Sequence, residues 1–398
     1  MLNGPFSPWP AFTEEEASAV NTVLLSNKVN YWTGDQCRKF ENEFADFAGT
    51  EFAIAVANGT VALDLAINAM GVGPGDEVVV TSRTFLASVS SIVNSGAKPV
   101  FADVNSVSQN ITVDTVSAIL SPNTKAIVCV HLAGWPCDMD PIMDLAKQRG
   151  LFVIEDCAQA HGARYKGRPV GSIGHVGAWS FCQDKIMTTG GEGGMVTTND
   201  RELWSKMWSF KDHGKSWDAI YEREHPPGFR WLHESFGTNW RMMEMQAAIG
   251  RIQLRRMPDW HQARLSYASQ IWHAASQLKG LRVPSFRCSD CEGTCNRNNG
   301  CEHAAYKCYV FVDGTEQDRD EIMAKINAKG VPCFSGSCSE VYLEKAFDNT
   351  EFRPKTRLPI AKRLGETSLM FLCHPTLTQA EIDKTCKILE SVVQDYFG

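Results

Sequence analysis

Between residues 50 and 200 short apolar runs alternate with longer segments whose apolar residues recur at helical spacing. The runs EFAIAVAN (51–58), EVVVTS (77–82), KPVFADV (98–104), KAIVCVHLAG (125–134), LFVIEDCA (151–158), GAWSFCQ (177–183) and GGMVTTND (193–200) read as seven strands. Helices are predicted from Thr60, up to about Ser95, and up to about Gly150. This alternation predicts a mostly parallel sheet covered on both faces, which binds ligands beyond the carboxyl ends of its strands. A helix-rich stretch from Arg241 to about Leu278 should close the first domain, giving a large domain over 1–265 and a small one over 266–398. Within the small domain, 283–303 is polar, rich in Cys and Asn and without periodicity, so it reads as a loop or insertion. Beyond it, a strand at 306–314, a helix at 315–329 and a closing helix at 379–396 predict a smaller α/β unit.

The length of 398 residues suits two domains. With 43% apolar and 21% charged residues, disorder and fibrous architectures are excluded. The net charge of −7 argues against holding nucleic acid or an anionic membrane through bulk charge. The three arginines of 250–256 read as a solvated helix surface rather than a DNA-reading face. MLNGPFSPWPAFTEEE has neither a basic n-region nor an apolar h-region, and no apolar run reaches the ~20 residues of a membrane span. A cytoplasmic protein is expected. Nine of the fourteen cysteines are scattered through predicted strands and helices, as reduced, buried thiols would be.

Four features fall at predicted strand ends. Asn58-Gly59-Thr60 opens a helix, where free N–H groups and the helix dipole suit a phosphate, though a plain turn with Thr60 as N-cap has the same pattern. Glu155-Asp156 delivers a carboxylate that can serve as an N-cap, a metal ligand or a partner for a cationic ring nitrogen. Lys185 follows Ser180 by five residues, and a partly desolvated lysine can attack a carbonyl. Gly190-Gly191-Glu192-Gly193-Gly194 is a loop able to bring backbone close to a bulky ligand, without the spacing of a dinucleotide or Walker motif. Together they supply what pyridoxal phosphate requires: a phosphate anchor, a pyridinium partner and a lysine for the covalent link.

The run VIEDCAQAHGARYKGRPVGSIGHVGAWSFCQDKIMTTGGEGGMVTTND (153–200) strongly resembles the DegT/DnrJ/EryC1/StrS family of pyridoxal-phosphate-dependent sugar aminotransferases. So do ANGTVALDLAI (57–67), GVGPGDEVVVTSRTFLAS (71–88), ITVDTVSAILSPNTKAIVCVHLAG (111–134) and GTNWRMMEMQAAIGRIQL (237–254), in the family's order. The resemblance implies a fold-type I architecture and makes Lys185 the lysine bound to the cofactor. It places Asp156 on the pyridinium nitrogen, Gln159 against the ring or its hydroxyl, and Phe85 on the other ring face. Gly59, Thr60 and Ser180 match phosphate-binding positions, Asn239 matches one that reaches the neighbouring subunit's phosphate, and Arg241 a substrate-side contact. His131 and His161 lie near this site and read as hydrogen-bonded structural histidines.

The resemblance further implies glutamate as amino donor, a nucleotide-linked keto-sugar (most often a 4-keto-6-deoxy hexose) as acceptor, a product for a surface glycan or another amino sugar, and a homodimer. The stretches 213–236 and 333–342 carry polar and aromatic groups suited to a sugar nucleotide, with Arg230 and Arg241 as arginine candidates for its diphosphate. Two rivals are a sugar dehydratase of the same family, which has histidine where Lys185 stands, and a non-catalytic cofactor-binding regulator. Cys288, Cys291, Cys295 and Cys301 are enough thiols for a structural zinc, but the paired CxxC signature is incomplete, and a variable loop with free thiols is the preferred reading; no metal site is assigned.

Overall fold

The computed structural model describes residues 5–285 and 300–398. Its large sheet contains β1 (Phe52–Val56), β2 (Glu77–Thr81), β3 (Lys98–Ala102), β4 (Thr124–Val130), β5 (Phe152–Asp156), β6 (Val176–Ser180) and β7 (Gly194–Thr198), in the order β1-β7-β6-β5-β4-β2-β3. All seven coincide with predicted runs. Strands β3, β2, β4, β5 and β6 run parallel, while β7 is antiparallel to β6 and β1. The parallel strands therefore end along one edge. A second, antiparallel sheet holds β8 (Leu281–Arg282), β9 (Cys308–Val312), β10 (Cys333–Phe334) and β11 (Ser368–Phe371), in the order β8-β9-β11-β10.

The helices used below are α1 (Glu14–Leu25), α2 (Gln36–Ala48), α3 (Gly59–Ala69), α4 (Ala87–Asn94), α5 (Met139–Arg149), α6 (Arg201–Lys211), α7 (Glu244–Ser276), α8 (Glu316–Ala328) and α9 (Gln379–Phe397). Val78, Val80, Val128 and Ile154 pack with Leu63 and Ala66 of α3 and Ile92 of α4. Their neighbours Val79, Ile127, Cys129 and Val153 pack with Ile142 and Ala146 of α5. Both faces of each strand are thus apolar and covered, which is why the sequence shows continuous runs rather than alternation. No described helix is long and apolar enough to cross a membrane.

Helix α7 links the two sheets: its Ala268, Ile271 and Ala275 enter the core of the small sheet. The three arginines of 250–256 are not simply solvated. Arg251 pairs with Glu43 of α2 at 2.7 Å, Arg255 with Glu15 of α1 at 2.8 Å, and Arg256 with Glu15 and Glu16 at 2.6 and 2.7 Å. These contacts join segments some two hundred residues apart, so local spacing did not reveal them. Cys288, Cys291 and Cys295 lie outside the described residues. Cys301 is buried, its sulfur accepting the Lys166 N–H at 3.3 Å, and Cys308 is buried in β9.

Glu155, fully buried, holds the end of β5. It accepts hydrogen bonds from the N–H groups of Gly171, Ile173 and Gly174 at 2.9, 2.8 and 2.6 Å, and lies 2.9 Å from His131 Nε2. The Cys137 N–H donates to His131 Nδ1, so the Nε2 proton faces the carboxylate. Burial alone would raise the Glu155 pKa, but the bonds from His131, Gly171 and Gly174 outweigh it and hold the carboxyl below its ordinary value. Glu155→Gln places an amide against these donors and should destabilise the protein by about 3–5 kcal/mol at neutral pH. In denaturation the gap to the unmodified protein should close as pH falls through the lowered Glu155 pKa, where its contribution is lost. An unchanged midpoint at neutral pH would contradict this role.

Candidate active site

At the carboxyl edge of the large sheet a cavity of about 570 Å³ is lined by the ends of β5 and β6 and by segments that follow β1, β2, β5 and β6. Helix α3 begins at Gly59, and its cap is Asn58, whose Oδ1 accepts the Val61 N–H at 3.0 Å. The expected alternative of Thr60 as cap is therefore displaced by two residues. With Asn58 as cap, Gly59 and Thr60 occupy the first helical turn on the cavity wall, where backbone N–H groups have no intrahelical partner. Ser180, at the end of β6, adds a hydroxyl to the same wall. A Cβ on Gly59 would lie 2.5 Å from Ser180 Cβ, so only glycine lets these two segments approach this closely.

Asp156 is buried opposite. Its Oδ2 accepts the Ser88 hydroxyl at 2.7 Å, Ser88 is 2.8 Å from the Thr84 hydroxyl, and Oδ1 accepts the Ala158 N–H at 3.1 Å. Ser88 and Thr84 were not singled out from the sequence. Their signal was the i, i+4 spacing in the TFLAS segment, which puts two hydroxyls on one side of the turn entering α4. Gln159, also buried, accepts the Ala133 N–H at 2.9 Å through its amide oxygen. Ala133 is held at φ 58°, unusual for a residue with a side chain. Phe85 lines the cavity with 72% of its surface exposed, a large apolar ring left without a protein partner to cover it.

Lys185 lies on the cavity wall with its side chain 16% exposed and Nζ 3.9 Å from Asp184 Oδ1. The structure thus brings together Gly59, Thr60, Phe85, Asp156, Gln159, Ser180 and Lys185. It leaves Asn239 and Arg241 outside this cavity. Asn239 is exposed, and Arg241 pairs at 2.6 Å with buried Asp212. Arg230 bonds the carbonyls of Ala219 and Ile220 at the surface. The glycine loop contributes only Glu192 to the wall. Its glycines serve the chain's own packing instead: a Cβ on Gly193 would lie 2.0 Å from Thr189 Oγ1, and one on Gly194 2.4 Å from the Asn58 carbonyl.

A helix start and hydroxyl for a phosphate, an uncovered aromatic ring, a buried carboxylate and an accessible lysine around one cavity fit pyridoxal phosphate. The family model described as the DegT/DnrJ/EryC1/StrS aminotransferase family matches residues 10–390. The chain belongs to this family. The GDP-perosamine synthase of Caulobacter vibrioides is 37% identical over 362 residues, 89% of each chain. The crystal structure of an aminotransferase from Psychrobacter cryohalolentis is 61% identical, with TM-score 0.94 over 99% of this chain and 100% of that one. A Streptococcus pneumoniae protein described as a sugar aminotransferase, solved in its PLP form, is 25% identical, with TM-score 0.85 over 99% of this chain and 100% of that one. This member of the DegT/DnrJ/EryC1/StrS family is a sugar aminotransferase that uses pyridoxal phosphate.

The two nearby histidines differ. His131 is hydrogen-bonded as expected, whereas His161 is buried between Trp179 and Phe181, with ring centroids at 5.3 and 5.7 Å and no hydrogen bond from either ring nitrogen. Burial, reinforced by the positive charges of Lys185 and Arg264, pushes the His161 pKa down to about 3. The unfolded chain binds this proton near pH 6.5 and the folded one does not, so stability falls as pH drops below 6.5. Between pH 7.5 and 5.0, His161→Leu should lose about 2 kcal/mol less stability than the unmodified protein. Equal losses in chemical denaturation would mean that His161 titrates normally.

Proposed function

We propose that the enzyme transfers an amino group from glutamate to a nucleotide-linked 4-keto-6-deoxy hexose, with Lys185 and Asp156 as its catalytic pair. The observation that carries this reading is the convergence of Lys185, buried Asp156 and the Gly59–Thr60/Ser180 cradle on one cavity. The relative named GDP-perosamine synthase makes a guanosine diphosphate sugar the first acceptor to try.

When bound, pyridoxal phosphate supplies an aldehyde that takes an amine and a ring that draws electrons from the reacting carbon. Gly59, Thr60 and Ser180 would hold its phosphate through N–H and hydroxyl groups, and Phe85 would cover one ring face. Asp156, fixed by Ser88 and the Ala158 N–H, would hold the ring nitrogen. Gln159 would contact the ring edge while its oxygen anchors Ala133. Lys185 Nζ would hold the cofactor and, as a free amine, would take a proton from the donor's α carbon and return one. Its position on the wall of a half-enclosed cavity limits water around that proton.

A homodimer completes the site in this reading. Asn239 is exposed, beside a segment whose Phe229, Trp231 and Phe236 are 77%, 80% and 100% exposed, an apolar surface suited to a second copy. Asn239 then reaches the neighbouring cofactor's phosphate. The segments 213–236 and 333–342 border the acceptor side in this reading, and Arg241 is held away from it by its ion pair with Asp212.

The visible spectrum of the holoenzyme tests this directly. Glutamate should convert the band of lysine-bound cofactor into that of its amine form, and a keto-sugar nucleotide should reverse the change. Lys185→Ala should bind cofactor without showing the lysine-linked band or the conversion. Bound cofactor that glutamate leaves unchanged in the unmodified protein would refute glutamate as donor.

A further inference from the structure

A second cavity, about 500 Å³, lies where the N-terminal strap Pro5–Trp9 crosses between α7 and the small sheet. Asp184 lines both cavities, so the two adjoin at the residue before Lys185. The strap is tied to that point, because the Trp9 indole N–H donates to the Lys185 carbonyl at 2.9 Å. From the small domain, the Tyr306 hydroxyl donates to Asp184 Oδ2 at 2.6 Å, and Lys185 Nζ lies 5.3 Å from the Tyr306 ring centroid.

The wall of this cavity holds Arg264 of α7, which is 2% exposed. Its Nε and Nη2 are buried without a hydrogen-bond partner. Trp9 stacks on the face of the guanidinium, 5.0 Å from Cζ to the ring centroid, and stacking leaves the in-plane N–H groups unsatisfied. Arg83 shows that a buried arginine in this protein is otherwise bonded: it donates to Gln109, Ser339 and Ser368. An unpaired buried cation is costly, and burial lowers the Arg264 pKa to about 10. The pair Nε and Nη2 forms the side of a guanidinium that grips a carboxylate with two parallel hydrogen bonds.

The lining therefore carries both signs of charge, with the guanidinium of Arg264, the ammonium of Lys307 and the Asp184 carboxylate, which lies beside Lys185. We propose that this seam cavity binds the amino donor, an α-amino acid with a carboxylate on Arg264 and its ammonium led past Asp184 toward Lys185. The proposal rests on the aminotransferase reading of the first cavity. It gives the strap a role as well: Trp9 holds the guanidinium plane so that its edge faces the entering carboxylate, and Tyr306 fixes Asp184 between the two cavities.

Glutarate, a dicarboxylate with no amine to react, is the probe. Calorimetric titration of the holoenzyme should show binding that Arg264→Met weakens roughly ten- to a hundredfold, with Arg264→Lys in between. The lysine variant keeps the charge without the fork, so it carries the test if the methionine variant does not fold. In the half-reaction, Arg264→Met should raise the glutamate concentration for half-conversion by a similar factor while leaving the limiting rate and the conversion by a simple alkylamine nearly unchanged. Equal glutarate affinity in the unmodified protein and Arg264→Met would overturn the site. Lost glutarate binding with an unchanged glutamate dependence would overturn the assignment to the donor. If glutamate converts no cofactor even in the unmodified protein, the aminotransferase reading with this donor fails instead, and the glutarate titration still judges the site.

Discussion

Two carboxylates, adjacent in sequence and both buried, end β5, and the alternation of a strand sends them to opposite sides. Glu155 shares the side of Val153 and ties down the 171–174 turn and His131. Asp156 shares the side of Ile154 and opens onto the cavity beside α4. A register slip of one residue would exchange them, leaving the turn without its acceptor and the cavity without its acid. The dense bonding of Glu155 is thus what fixes Asp156 where a cationic ring nitrogen can meet it. Parallel pairing of β4 and β6 on either side of β5 then brings His131 and Ser180 to the same edge.

The seven strands of the large sheet were legible because each is buried on both faces and therefore written as a continuous apolar run. Asp156, Ser180 and Lys185, which line the cavity, could be singled out because they sit at or just beyond the ends of those runs. What was less legible came from contacts across long stretches of chain. Ser88 reaches Asp156 across 68 residues, Tyr306 reaches Asp184 across 122, and Trp9 reaches Lys185 across 176. Spacing within a segment carries no trace of such pairs. The same limit explains the arginines of 250–256, read as surface residues but paired with α1 and α2, and Arg264, which the sequence analysis did not single out. The cap of α3 was displaced for a local reason: Asn58 and Thr60 are both good caps, and only the extended backbone of Asn58 decides between them.

The segments around the small sheet are joined to the large sheet by polar contacts as well as by apolar packing. Arg83, just beyond β2, reaches Ser339 and Ser368, and Asp103 accepts the N–H groups of Ile360 and Ala361 at 3.0 and 2.9 Å. Tyr342 and Phe347 pack into the same core as α3 and α4. Tyr306 and the strap both meet the Asp184–Lys185 segment, Tyr306 through Asp184 Oδ2 and Trp9 through the Lys185 carbonyl.

The central claim is that Lys185 is the residue that carries the cofactor. Borohydride reduction of the holoenzyme, followed by proteolysis and mass spectrometry, tests it most directly. The account predicts the mass of reduced pyridoxyl phosphate on the peptide containing Lys185 and on no other lysine. Cofactor fixed to a different lysine, or bound in full yet fixed to none, would contradict it.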